Sequence, residues 1–96
     1  MDFEQPVKLY STIYSKSGCT KCRQMKQYLK EKKLPSKIVD CDDYLLENRD
    51  KFLQFMALYT DVEPLTFPIV FYDGAYIGGY QEAVVFLEKI ISFASF

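Results

Sequence analysis

Cys19 and Cys22 are separated by Thr20 and Lys21. On a helix this spacing puts the two sulfurs one turn apart on a shared face, within reach of disulfide geometry. Closing so short a ring removes little chain entropy, so the bond would be a weak staple, whereas an easily opened bond suits thiol–disulfide exchange. The two sulfurs are not equivalent. Cys19 stands at the start of the expected helix, where free backbone N–H groups and the helix dipole favour a thiolate, with Lys16, Lys21, Arg23 and Lys26 adding positive charge. Cys22 shares a stripe with Met25 and Leu29, which predicts a shielded sulfur that attacks only after a mixed disulfide has formed at Cys19. Taken alone, the pair leaves two other readings open: a zinc half-site supplemented by Cys41 and a carboxylate, or two unreactive thiols. The sequence contains no histidine, which removes the usual general base and a usual zinc ligand.

The elements that must position these sulfurs follow from periodicity. Residues 7–14, Val-Lys-Leu-Tyr-Ser-Thr-Ile-Tyr, are β-branched and aromatic and read as a first strand. Residues 20–33 carry Cys22, Met25 and Leu29 on one stripe with Arg23, Lys26 and Lys30 off it, an amphipathic helix stopped by Leu34-Pro35. Residues 36–41 read as a second strand, completing a right-handed βαβ unit. A second helix is expected over residues 43–60, from Leu45, Phe52, Leu53, Met56 and Tyr59, with Asp42 and Asp43 placed to cap its start. Residues 67–72 and 75–78 form a hairpin around Asp73-Gly74, and residues 80–92 form a last helix with Val84, Leu87 and Ile91 on one face. The order β-α-β-α-β-β-α fits an α/β fold with a four-stranded mixed sheet flanked by helices.

Composition narrows the classes. Ninety-six residues, 49% of them hydrophobic, suit one domain over residues 1–96 with its own core. Twelve basic and 13 acidic side chains give a net charge of −1, against a nucleic-acid partner. No run of about 18 apolar residues is present and the first residues lack signal-peptide character, so no membrane association and a reducing cytoplasmic setting are expected. In that setting three cysteines are too few and too unevenly spaced for a disulfide scaffold, so the close pair reads as catalytic or metal-binding. Cys41 is expected to be a buried small hydrophobe, and Phe52, Phe55, Phe71 and Phe86 to be core.

Three further motifs raise the redox reading. Tyr14-Ser15-Lys16-Ser17-Gly18-Cys19, Thr66-Phe67-Pro68 and Ile77-Gly78-Gly79 occur in that order. They resemble, respectively, the active-site entrance, the Thr-Val-Pro and the Ile-Gly-Gly of the glutaredoxin branch of the thioredoxin-like fold, over nearly the whole chain. The resemblance implies a cis Phe67-Pro68 bond facing Cys19, with the Phe67 backbone free to pair with an extended thiol peptide such as glutathione. It also places the last helix's N-terminus against the γ-glutamyl carboxylate. The implied set is catalytic Cys19 and Cys22, with Lys16, Lys21, Thr66, Phe67, Pro68, Gly79, Tyr80 and Gln81 binding substrate or glutathione, and no resident metal.

The chain departs from the family pattern in three places. Thr20-Lys21 replaces the common Pro-Tyr spacer, removing an aromatic wall beside glutathione. Tyr80-Gln81-Glu82 follows Gly-Gly where the family often has a small residue and an aspartate, which leaves backbone contacts to carry the γ-glutamyl group. Glu63-Pro64-Leu65 stands where a polar or basic residue commonly precedes Thr-Val-Pro, while Lys16 is kept for the glycyl carboxylate. The resemblance implies a monomeric, glutathione-dependent thiol–disulfide oxidoreductase. Its partners would be disulfide-containing or glutathionylated proteins, ribonucleotide reductase among them. Two alternatives stay open: electrons from thioredoxin reductase, or a dimer holding a [2Fe-2S] cluster through the first cysteine and glutathione.

Overall fold

Every residue of β1 (Ser11–Ser15) is buried, so this strand has packed layers on both faces. The computed structural model describes residues 2–94. Of the expected 1–96 unit, Met1, Ser95 and Phe96 lie outside the described residues. After β1 come α1 (Thr20–Glu31), β2 (Ser36–Asp40), α2 (Asp42–Glu47), α3 (Arg49–Met56), β3 (Ile69–Tyr72), β4 (Ala75–Gly78) and α4 (Tyr80–Ala94). The sheet order is β2-β1-β3-β4. β1 runs parallel to β2, with Ile13 opposite Ile38, and antiparallel to β3, which pairs antiparallel with β4. The mixed sheet expected from the sequence is therefore present.

Alternation along the strands sorts the core into two layers. Tyr14, Val39, Ile69 and Phe71 pack with Phe52 and Met56 of α3 on one face. Ile13 and Val70 point the other way, to Met25 and Leu29 of α1 and Ala83 and Leu87 of α4. Each fully buried side chain of this size stabilises the fold by roughly 1.5–3 kcal/mol. Among the described residues no helix is long and apolar enough to cross a membrane.

Several boundaries differ from the sequence reading; β2 ends at Asp40 rather than at residue 41, and the helical stretch before β3 ends at Met56 rather than at residue 60. The first strand starts at Ser11, because Leu9 adopts a left-handed φ of 80°. That bend lets its N–H donate to Asp73 Oδ1 at 2.8 Å, tying the segment to the β3–β4 turn. α1 ends at Glu31 through a left-handed Lys33 (φ 56°), whose neighbour Leu34 donates its N–H to the Leu29 carbonyl at 2.9 Å, a Schellman closure just before Pro35. The single helix expected over residues 43–60 is two helices, divided where Asn48 leaves helical dihedrals (φ −146°, ψ 48°). α4 extends to Ala94, past the expected end at Ser92.

Asp42 and Asp43 do not cap α2 either. The N-cap position is Cys41, without a side-chain cap, and Asp42 lies inside the first turn. The β3–β4 hairpin turns at Asp73-Gly74 as expected, although β3 starts at Ile69 rather than at residue 67. Asp73 and Gly74 both have positive φ, 52° and 80°, the mark of the two-residue turn that matches strand twist.

Candidate active site

β1 delivers the chain into Lys16-Ser17-Gly18, a short loop that ends at Cys19. Gly18 has φ +71°, yet a Cβ there would meet nothing within 4 Å, so backbone conformation rather than crowding calls for glycine. Ser17 is held from the end of the neighbouring strand β2: its N–H donates to Asp42 Oδ1 at 2.8 Å and its hydroxyl to Asp42 Oδ2. These hydrogen bonds, the hydroxyl's first, draw the Asp42 carboxyl below the usual carboxylate value of 3.8.

Cys19 is the N-cap of α1. Its Sγ accepts the Cys22 backbone N–H at 3.1 Å, in the place usually taken by a serine or aspartate oxygen. The first turn of α1 carries no acidic residue to compete for that end of the helix dipole, and Arg23 donates to the Thr20 hydroxyl at 3.2 Å. Cys19 and Cys22 are joined as a disulfide, with Cα atoms 5.2 Å apart. Their exposures are unequal: Cys19 is half-buried, while Cys22 is 1% exposed on the same stripe as Met25 and Leu29.

Facing this pair is Phe67-Pro68, joined by a cis peptide bond. The Phe67 carbonyl oxygen lies 3.6 Å from Cys19 Sγ. The Phe67 N–H has no acceptor within the chain among the described residues. The Phe67 ring stacks on buried Phe52, with centroids 6.3 Å apart and planes at 16°. Lys16 Nζ sits 5.3 Å from the centroid of that ring.

The third part is the start of α4. A Cβ on Gly79 would lie 3.8 Å from the Pro68 carbonyl oxygen and 3.9 Å from Thr66 Oγ1, which puts Thr66, Pro68 and Gly79 side by side. The Gly79 N–H is already used: it donates to Glu82 Oε1 at 2.9 Å, the backward-reaching half of a capping box.

Of the residues expected from the sequence, Cys19, Cys22, Lys16 and Phe67 form one connected group, and Thr66, Pro68 and Gly79 adjoin it. Lys21 and Gln81 are exposed, and no hydrogen bond, ion pair or ring contact ties either to the group among the described residues. Tyr80 packs against the α1/α4 core, leaving its backbone rather than its ring beside Gly79. Cys41 is 0% exposed and lies in the other core layer. Burial first, then Asp40 and Asp42, push its thiol from 9.0 to about 12.

Ser17, Asp42 and Glu82 were missed as site residues. Only Glu82 had a readable signal, its three-residue spacing from Gly79. A separate groove of about 670 Å³ runs between α3 and residues 60–65, lined by Arg49, Leu53, Val62 and Leu65, next to Thr66 but not over Cys19. The described residues contain no group of three or more His, Cys, Asp or Glu side chains placed to hold a metal.

A family model for glutaredoxin matches residues 11–77, spanning both cysteines, Phe67-Pro68 and the β3–β4 hairpin up to Ile77. The chain belongs to the glutaredoxin family. Membership carries thiol–disulfide oxidoreductase activity as its general kind. Among solved structures, glutaredoxin 1 from Francisella tularensis, complexed with cacodylate, is similar at 30% identity and a TM-score of 0.72, covering 85% of this chain and 95% of that one. The holo form of glutaredoxin C1 from Populus tremula x tremuloides is similar at 27% identity and a TM-score of 0.67, over 84% of this chain and 76% of that one. Reduced Escherichia coli glutaredoxin, at 20% identity and a TM-score of 0.59 over 85% of this chain and 96% of that one, shares the fold. No match was found among curated proteins.

Proposed function

We propose that this glutaredoxin reduces protein disulfides and glutathione mixed disulfides with glutathione as electron donor. The observation that carries the reading is the unequal pair: a half-buried Cys19 sulfur that caps a helix and faces the Phe67 carbonyl, backed by a buried Cys22.

In the reduced enzyme the backbone donor and helix dipole favour the Cys19 thiolate. That thiolate attacks one sulfur of a protein disulfide, forming a mixed disulfide at Cys19 and expelling the other protein sulfur as thiolate. Cys22, deprotonated, then attacks Cys19 Sγ. The reduced protein leaves with both its thiols, and the Cys19–Cys22 disulfide closes. Two glutathione thiols reopen it in turn and depart as glutathione disulfide, returning two electrons. With a glutathionylated protein, Cys19 takes the glutathione sulfur and a second glutathione thiolate removes it, without Cys22.

Phe67 and Pro68 dock the ligand backbone, Lys16 meets an anionic group, and the α4 N-terminus receives the γ-glutamyl carboxylate. Because Glu82 already occupies the Gly79 N–H, that carboxylate must share or displace it. The same reading assigns disulfide-containing or glutathionylated proteins as partners, ribonucleotide reductase being one candidate, a monomeric state and a cytoplasmic setting.

A coupled assay on a glutathione mixed disulfide tests this directly. Cys19→Ser should abolish all turnover, whereas Cys22→Ser should keep deglutathionylation and lose direct reduction of protein disulfides. Turnover supported by thioredoxin reductase but not by glutathione with its reductase would replace the donor.

A further inference from the structure

We propose that Phe67 is a positioning residue that acts through Lys16. Its ring holds the Lys16 ammonium at the rim of the dithiol site, so that a fixed positive charge meets anionic substrate groups beside Cys19. The proposal rests on the reading of Cys19 as the attacking sulfur.

Three contacts of the same residue carry it. The Phe67 carbonyl oxygen is 3.6 Å from Cys19 Sγ, so the residue abuts the reacting atom. Its ring is anchored from inside by the stack on Phe52, a side chain with 0% exposure. The same ring has the Lys16 ammonium 5.3 Å from its centroid, within the range of attraction to an aromatic face. Lys16 itself is exposed, and no carboxylate pairs with it among the described residues. Its charge is therefore unneutralised while its position is restrained. The backbone beneath it is restrained too, since Ser17 is tied to Asp42.

An aliphatic side chain at position 67 could still pack against Phe52, but it has no quadrupole to hold an ammonium. The aromatic ring is thus the feature that separates a positioning role from plain packing. The ligand class that benefits carries a carboxylate or other anion close to its sulfur.

The test uses reduced protein carrying Cys22→Ser, alkylated at Cys19 by iodoacetate or by iodoacetamide. Both reagents form a sulfur–carbon bond and release iodide; only the first is an anion. The ratio of the two rates reads the local charge and needs no enzymatic activity. Phe67→Leu should lower the iodoacetate-to-iodoacetamide ratio about two- to fivefold, the Boltzmann equivalent of a solvent-exposed contact of this kind. Phe67→Tyr should preserve the ratio, and Phe67→Leu should change nothing further when Lys16→Met is already present.

An unchanged ratio in Phe67→Leu overturns the proposal. So does an equal slowing of both reagents, which would mark a structural disturbance, or an undiminished effect in the Lys16→Met background. Mixed-disulfide turnover separates this idea from the function it rests on. KM should rise by the same factor in Phe67→Leu while kcat holds. If the parent protein fails to turn over a glutathione mixed disulfide although the alkylation ratio behaves as expected, the glutathione reading falls and the role of Phe67 stands.

Discussion

The Ser17 N–H donates to Asp42 Oδ1 at 2.8 Å, and the Ser17 hydroxyl donates to the other carboxylate oxygen. The first turn of α2 therefore grips the loop two residues before Cys19. Asp42→Ala should release that grip, and amide exchange at Ser17 should accelerate by roughly tenfold or more as the loop opens locally. Because the folded-state carboxyl titrates below 3.8, its contribution is fully present above that value and is lost as pH falls through the lower folded value. The stability gap between parent and variant should accordingly close in acid. A Ser17 amide exchanging equally fast in both proteins would show the link to be inconsequential.

Cys19 caps α1 with sulfur rather than oxygen. In the reduced protein that geometry should hold a thiolate at pH values where an ordinary thiol is protonated. Alkylation of Cys19 at pH 6 should outpace that of free cysteine by about tenfold or more. Equal rates would show that the cap does not activate the sulfur.

Cys41 offers a contrast within one chain. Its thiol is raised from 9.0 to about 12 by burial, so folding favours the neutral form. That stabilisation is fully present below pH 9 and is lost as pH rises toward 12, at about 1.4 kcal/mol per pH unit for one proton. Tyr14, whose hydroxyl burial also pushes up, adds its own alkaline loss, so the comparison to make is parent against Cys41→Ala in denaturant titrations at pH 8 to 11. The native thiol should also resist aromatic disulfide reagents at pH 8 until the protein unfolds.

The recognisable parts of this site are those whose chemistry depends on residue type at fixed spacing. Cys19 and Cys22, Phe67-Pro68 and Gly78-Gly79 could be placed from the sequence because the strand–turn–helix pattern around them admits few arrangements. The Asn48 break could not. Leu45 and Phe52 are seven residues apart, two helical turns to within about 20°, and no proline or glycine marks the interruption. Leu9 reads as part of a strand for a related reason: its left-handed backbone is held by Asp73, a partner 64 residues away. Asp42 looked like a helix cap because capping is local, whereas its actual partner, Ser17, is 25 residues earlier in the chain.

Gly78 and Glu82 make the start of α4 crowded. A Cβ on Gly78 would lie 2.7 Å from the Glu82 Cβ, and its φ is +143°. Gly78→Ala should cost about 1–3 kcal/mol. Glu82→Ala, which removes the acceptor for the Gly79 N–H but leaves Cβ, should cost about 0.5–1 kcal/mol. Most of the Gly78→Ala penalty should persist in the Glu82→Ala background, because the positive φ and the nearest atom, the Glu82 Cβ, remain while the Cγ contact at 3.0 Å is removed. Chemical denaturation of the four proteins of the cycle checks this, and full relief of the penalty would refute the steric account.

The stack of Phe67 on Phe52 joins the reactive surface to the tyrosine- and phenylalanine-rich layer beneath the sheet. One consequence is evolutionary. A side chain that is simultaneously an outer tile of the interior and a wall of the proposed ligand groove can vary only where both settings accept the newcomer. Retuning of ligand preference at position 67 should therefore travel with compensating change at position 52, so the pair would drift as a unit.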